Sequence, residues 1–254
     1  MIADRVHSNA SNQWNDFENV VWDFNKFVAT IPRVSTSKLD LRSSKLDEVI
    51  RSFASVIQGD NIDTAQLLKA CRAHLALMQS GGAALCIVAK DLESNLLKAE
   101  ALFKKEPMQC KHLTSLLEME RKSGQHNGNV LQDPSAAMGL LWIRRSLAFQ
   151  SDLYASLTSE GSNPRDAAMD SYSKHLSPYH GWMLRTVFPA SLTQMPGRET
   201  FISKFGEIDM DDLDTECKSK VVMKLRALVA TWEPILSIWK DVFERLDLED
   251  TRRV

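Results

Sequence analysis

The sequence predicts an all-α protein built as a two-layer stack of helices. Three observations carry this. Apolar residues recur at intervals of three and four along most of the chain, no segment shows the period-two alternation of a half-buried strand, and the predicted helices are too apolar to stand singly. The chain has 254 residues, 44% hydrophobic and 25% charged, an ordinary balance for a globular protein with one large domain or two small ones. Its formal net charge of -2 argues against a general nucleic-acid binder and confines any membrane contact to a local patch. No window of apolar residues is long enough to span a bilayer, and the first residues lack the basic start and apolar core of a secretion signal, so a cytosolic protein is expected. Cys71, Cys86, Cys110 and Cys217 show neither CxxC nor Cys/His spacing. They read as buried thiols of a reducing compartment, and no metal or cofactor is expected.

Residues 1–12 are polar. Trp14, Phe17, Val21, Phe24 and Val28 then mark one face of an amphipathic helix that stops near Pro32. Residues 32–44 have the composition of a linker, so residues 1–44 read as an N-terminal extension and 45–254 as the main domain. Within that domain, Leu46, Val49, Ile50, Phe53 and Val56 line a first helix, Gly59 to Asp63 turn the chain, and a second helix runs to Ser80-Gly81-Gly82. A third helix follows to Glu100, and a shorter one covers Met108 to Lys122. The loop SGQHNGNVLQDPS leads to Asp133-Pro134, read as a cap and first-turn proline. From Ala136 to Leu157 the chain is apolar on most of its circumference, which marks a central helix. A long helix from Asp166 towards Ala190 is interrupted near Pro178, and a short element spans Glu199 to Lys204. A final helix runs from Met210 to Asp247, with Pro234 as a candidate break.

The third helix carries the most chemistry. Asp91, Asn95 and Lys98 stand at i, i+4 and i+7, one above another on one face: a carboxylate acceptor, an amide that both donates and accepts, and a three-donor cation. The same row is also what a solvated face with a helical ion pair looks like, so it becomes a site only if other residues converge on it. Two later stretches supply candidates. Trp142 lies among aliphatic residues and is followed by Arg144 and Arg145. His180 is preceded by Tyr172 and Leu176 at helical spacing and followed by Gly181 and Trp182. Taken alone, a tryptophan such as Trp142 is more often a core residue and a histidine such as His180 more often a satisfied buried one.

Together these stretches resemble the glycolipid transfer protein family. The resemblance rests on three motifs in order: Asp91-x-x-x-Asn95-x-x-Lys98, then Leu-Leu-Trp142-Ile-Arg-Arg, then Tyr172 with Tyr-His180-Gly-Trp182. It covers about residues 45–246 and leaves the extension without a counterpart. It implies a two-layer helical domain that encloses an apolar lipid pocket and carries glycosphingolipids between membranes. By the same resemblance, Asp91, Asn95 and Lys98 bond the first sugar, Trp142 is the plate on which it stacks, and Asp91 and His180 bond the ceramide amide. Tyr172 lies beside this centre, and Trp182 touches the membrane, with Tyr179 and Lys174 or Arg185 nearby.

Elementary chemistry agrees with those roles. A ceramide amide buried without partners would cost about 1–3 kcal/mol, and a carboxylate for its N–H with a neutral imidazole donor for its C=O removes that cost. An indole covers the apolar face of a sugar while mixed donors and acceptors meet its rim. Leu92, Leu96, Met138, Leu141, Leu176 and Phe188 would form the sleeve for the hydrocarbon chains.

The related ceramide-1-phosphate transfer proteins carry arginine at the position of Trp142 and four residues earlier, where this chain has Met138. A neutral sugar headgroup is therefore expected, with ceramide-1-phosphate transfer as the alternative. Arg144 and Arg145, at i+2 and i+3 from Trp142, are expected to share its face incompletely and to be structural or membrane-facing. A hydrolase built on Asp91 and His180 would lack a nucleophile motif and a second facing carboxylate, so no enzyme is expected. A glycolipid sensor or scaffold would bind the same lipid but exchange it slowly. The expected partners are the glycosphingolipid and a transiently contacted membrane, with no nucleic acid.

Overall fold

The computed structural model describes residues 44–80 and 85–254; the predicted N-terminal helix, the linker and the Gly81-Gly82 turn lie outside them. Its helices are α1 (Lys45–Ala54), α2 (Thr64–Ser80), α3 (Cys86–Lys105), α4 (Leu113–Lys122), α5 (Ala136–Leu157), α6 (Pro164–His175), α7 (Trp182–Leu192), α8 (Arg198–Gly206) and α9 (Thr215–Arg245). Among the described residues no helix is long and apolar enough to cross a membrane.

Helix α5 is the hub, packing on α3, α6, α9 and α4, and α2 lies against α1 and α3. Its sequence explains that position. Nearly every residue from Ala136 to Gln150 is buried, including the charged Arg144 and Arg145, so α5 has no solvent face over its first half. Its N-terminus is satisfied twice over. Ser135 Oγ accepts from the Met138 N–H at 3.0 Å, and the buried Glu120 carboxylate of α4 accepts from the Ala136 and Ala137 N–H groups at 2.8 and 2.5 Å. A carboxylate there is favoured both by the orphan donors and by the helix dipole.

Helix α3 is fixed from two sides. Arg72 of α2 grips Glu100 through two N–H donors at 2.7 and 2.8 Å. On the other side Gly139 of α5 faces α3 so closely that an added Cβ would stand 2.4 Å from the Asn95 carbonyl oxygen and 3.0 Å from Lys98 Cβ. The missing side chain is what lets the two backbones meet at the polar row. Deeper in, His74, Phe53, Tyr154 and Trp232 form an aromatic cluster, with His74 and Tyr154 both bonded to Gln150 at 2.7 and 3.0 Å.

The structure corrects the expected elements in several places. Ile57–Gln58 and Asn61–Ile62 pair as a small antiparallel hairpin around Gly59, whose φ of 61° suits glycine; at two residues a strand, alternation has no length in which to show. The fourth helix starts at Leu113 rather than Met108. Asp133-Pro134 does not open α5: Ser135 is the cap, and the Asp133-Pro134 peptide bond is cis. The interruption expected near Pro178 is present: α6 and α7 are separated at residues 176–181. Met210–Asp212 form a 3-10 turn and Asp214, accepting from the Cys217 N–H at 2.7 Å, caps α9. Helix α9 continues through Pro234, held by the buried Trp232, Ile235 and Trp239 on either side. Cys71 and Cys110 are buried, but Cys86 and Cys217 only half so.

Gly139 gives a test with a decisive sign. An alanine in mid-helix ordinarily gains about 0.5–1 kcal/mol over glycine, whereas here the overlap with α3 should reverse this to a loss of about 1–3 kcal/mol. Thermal unfolding of Gly139→Ala should therefore show a Tm lower by several degrees; an unchanged or raised Tm would contradict the close approach.

Candidate functional site

The polar row forms as its spacing predicts. Asn95 Nδ2 donates to the Asp91 carboxylate at 3.1 Å and to the Asp91 carbonyl at 3.0 Å, and Lys98 Nζ donates to Asn95 Oδ1 at 3.2 Å. Lys98 also pairs with Asp133 of the loop before α5, at 2.8 Å. Leu92 and Leu96 are fully buried on the inner side of the same helix, so the row stands at the edge of the core. Asp91 is an exposed residue, yet the protein around it still raises its pKa to about 6, through desolvation and against the pull of Lys98 and Asn95.

Trp142 and His180 meet face to face. Their ring centroids lie 5.4 Å apart at an interplanar angle of 28°, and the two residues are 9% and 6% exposed. His180 belongs to the short connection between α6 and α7, where its N–H bonds to the Leu176 carbonyl at 3.1 Å and Gly181 caps α7. Tyr172 presents its hydroxyl to His180 Nδ1 at 3.3 Å, and Phe188 stacks on Tyr172 with centroids 5.0 Å apart. In the tautomer in which Tyr172 donates to Nδ1, the ring proton is on Nε2 and that nitrogen is a donor. Burial first and the nearby Arg145 cation second lower the His180 pKa to about 4, so the ring is neutral at physiological pH.

Arg145 is closer to this centre than expected. Its guanidinium lies 5.4 Å from the Trp142 ring and 3.4 Å from the Tyr179 ring, and it donates to Glu249 at 3.0 Å and to the Asp250 carbonyl at 2.5 Å. At i+3 it is expected to share the Trp142 face only in part, and the contacts with Tyr179 and Glu249 bring it over the ring region. Arg144 is also buried and pairs with Glu249, so neither arginine faces a membrane. The segment after α9 that supplies these acceptors continues to Val254, whose carbonyl accepts from the Gly181 N–H at 2.6 Å and whose N–H donates to Tyr179 at 2.9 Å. Tyr179 is thereby held half-buried beneath Arg145, and Lys174 is engaged by Asp152 at 2.6 Å.

The structure thus brings together Asp91, Asn95 and Lys98, and separately Trp142, His180, Tyr172 and Phe188, with α3 joined to α5 at Gly139. Met138, Leu141 and Leu176 are buried in the same continuous core as Leu92, Leu96 and Phe188. Trp182 is apart from them, 79% exposed at the first position of α7. Sequence reasoning missed Asp133, Glu249 and Gly139. A glycine inside an otherwise apolar helical run was the available signal for the last. Among the described residues no group of histidines, cysteines and carboxylates is placed to hold a metal.

The sequence model of the family described as glycolipid transfer protein (GLTP) matches residues 62–207. The chain belongs to the glycolipid transfer protein family. Glycolipid transfer protein 1 of Arabidopsis thaliana is 31% identical over 159 residues, which cover 61% of this chain and 76% of the relative. The glycolipid transfer protein of Aureobasidium melanogenum is 27% identical, covering 77% of this chain and 90% of the relative. Among solved structures, the GLTP-fold by which FAPP2 selects simple glycosphingolipids aligns with a TM-score of 0.71 at 22% identity over 83% of this chain and all of that one. Human ceramide-1-phosphate transfer protein bound to its lipid aligns with a TM-score of 0.70 at 17% identity, over 81% of this chain and 98% of that one. These likenesses show a shared fold, the two-layer helical architecture of the GLTP family.

The two titrating groups of the site act on stability with opposite signs. His180 is held below its ordinary range, so it favours the folded state above about pH 6.5, and this contribution is lost as the pH falls towards 4. Asp91 is held above its ordinary range, so its contribution is complete below the ordinary value of 3.8 and is lost as the pH rises through about 6. The Tm difference between Asp91→Asn and the parent should therefore shift in the variant's favour between pH 4 and 7. NMR titration of the His180 ring should show a midpoint well below 6.5; a midpoint at 6.5 would contradict a desolvated ring.

Proposed function

We propose that this chain binds a neutral glycosphingolipid, a sugar carried on a ceramide, and moves it between membranes without making or breaking a covalent bond. The observation that supports this reading most is the polar row Asp91–Asn95–Lys98, set on a helix that meets the Trp142 helix backbone to backbone at Gly139. The row offers donors and acceptors in alternation to the rim of a sugar, and the indole offers its apolar complement. Asp91 would accept from the ceramide N–H and the neutral His180 would donate Nε2–H to its carbonyl, which leaves no buried amide unpaired. The ceramide chains would part the apolar side chains around Leu92, Leu96, Met138, Leu141, Leu176 and Phe188. Trp142 is 9% exposed with His180 stacked on it, so a sugar would have to displace that ring to use the indole as its plate.

The choice of a sugar over a phosphate follows from which cations are free to act. Arg144 and Arg145 are both held by Glu249, and position 138 is methionine, so a phosphate would find Lys98, itself paired with Asp133, and the single Arg185 of α7, but no pair of arginines to clamp it. Relatives with this fold include proteins named for either lipid, so the fold alone does not decide the headgroup.

Trp182 stands exposed two residues after His180, with Arg185 exposed one turn on, an arrangement that suits transient insertion of an indole into a membrane interface beside the binding site. We take residues 45–254 as the lipid-binding domain, working in the cytosol, and residues 1–44 as an extension to it.

Vesicle-to-vesicle transfer of fluorescent galactosylceramide and ceramide-1-phosphate with the same acyl chain tests the proposal. Galactosylceramide should move and the phosphate lipid should not; movement of the phosphate lipid alone would overturn the headgroup assignment. Binding without transfer would make the chain a sensor. Trp142→Ala and Asp91→Val should each abolish galactosylceramide transfer with helical content unchanged, and retained transfer in both would remove the site. Trp182→Ala should slow transfer more than it weakens binding of dispersed lipid, and equal losses would argue against membrane contact.

A further inference from the structure

We propose that Asp133 is a specificity-determining residue: by holding Lys98 it makes the headgroup site reject anionic headgroups and accept neutral ones. The inference rests on the glycolipid reading above and names the charge of the substrate that the same site admits.

Asp133 comes from the loop before α5, two residues ahead of the Ser135 cap, and reaches across to α3, where its carboxylate lies 2.8 Å from Lys98 Nζ. It therefore extends the row to a fourth member, Asp91–Asn95–Lys98–Asp133, anchored at both helices that bear the site. The pair is part-exposed, with the lysine side chain 20% and the aspartate side chain 42% accessible, which places it where an incoming headgroup arrives.

Within the row itself carboxylates outnumber cations, and Arg185, a further exposed cation close to the site, acts on Tyr172 from α7 and not on the row. Asp91, when ionised, and Asp133 each bring a negative charge, Lys98 brings one positive charge, and His180 is neutral. The neighbouring Arg145 and Arg144 are spent on Glu249, with Arg145 also bonded to the Asp250 carbonyl. A hydroxyl headgroup loses nothing by this. Lys98 has three donors, of which Asp133 and Asn95 take two, and the second oxygen of Asp133 remains an acceptor for a hydroxyl. A sulfate or phosphate must instead compete with Asp133 for Lys98, and if it wins it leaves a carboxylate beside it, a like-charge contact that only water screens. The pair contributes little to folding at this exposure, so the neutral isostere can be made without dismantling the fold.

The test uses the full chain and two lipids that share the sugar and differ by one fixed charge, galactosylceramide and its 3-O-sulfated form, in transfer between phosphatidylcholine vesicles. The readout is the ratio of sulfated to neutral transfer, so any effect of a substitution on transfer in general cancels. Asp133→Asn and Asp133→Ser should both raise this ratio, roughly tenfold for removal of one close charge, and the rise should shrink with added salt. Adding Lys98→Gln to Asp133→Asn should erase the rise, because the freed lysine is what recruits the sulfate. A ratio unchanged in both single variants, with galactosylceramide moved by the parent, would overturn the role of Asp133 and leave the glycolipid reading standing. A rise that survives loss of Lys98 would equally overturn the coupling. Failure of the parent to move galactosylceramide would remove the glycolipid reading and this inference with it.

Discussion

The approach of two helix backbones at Gly139 is the constraint on which the rest of the site depends. Without a Cβ at that position, α5 can seat against the Asn95 carbonyl, and three consequences follow along the chain. The polar row of α3 is held at the edge of the core instead of on an open face. Trp142 arrives three residues further along α5, and the loop before α5 carries Asp133 onto Lys98. Other contacts secure the pair from outside: the Arg72 grip on Glu100 fixes α3, and the Glu120 carboxylate closes the N-terminus of α5.

The electrostatics of the site point the same way as its geometry. Its histidine is kept neutral by burial and by Arg145, Arg144 and Arg145 are locked by Glu249, and its lysine is matched by an aspartate. What remains along the row is hydrogen-bonding capacity with its one cation already paired. Hydroxyls and an amide, whose recognition depends on direction more than on field, suit such a row better than a phosphate does, as the proposed function requires. The segment after α9 has a part in this, since it supplies Glu249 and the Asp250 carbonyl to the arginines and Val254 to the backbone around His180.

Much of the architecture was legible because it rests on local periodicity. Helix α5 announced itself by apolar residues on all sides, and the row of α3 by spacing that the helix converts directly into neighbours. Trp142 and His180 could be named from their motifs, but that their rings stack could not be read, because α5 and the α6–α7 connection are far apart in sequence. The errors share a cause. Asp133-Pro134 looked like a helix start when judged by its own residues, and only the partner on α3 gives Asp133 its place. Arg145 looked peripheral to Trp142 by angle along the helix, and Glu249 and Tyr179 then fold it back over the ring region. Pro234 looked like a break, and the tryptophans buried on either side carry α9 through it. In each case a contact between distant segments outweighed a correct local rule.

The most direct test of the account is a crystal structure of the protein with bound galactosylceramide. The account predicts the sugar against the Trp142 indole with its hydroxyls bonded along Asp91, Asn95 and Lys98, the ceramide N–H on Asp91 and the amide carbonyl on His180 Nε2. A sugar seated away from α3, or an amide bonded to neither residue, would contradict it.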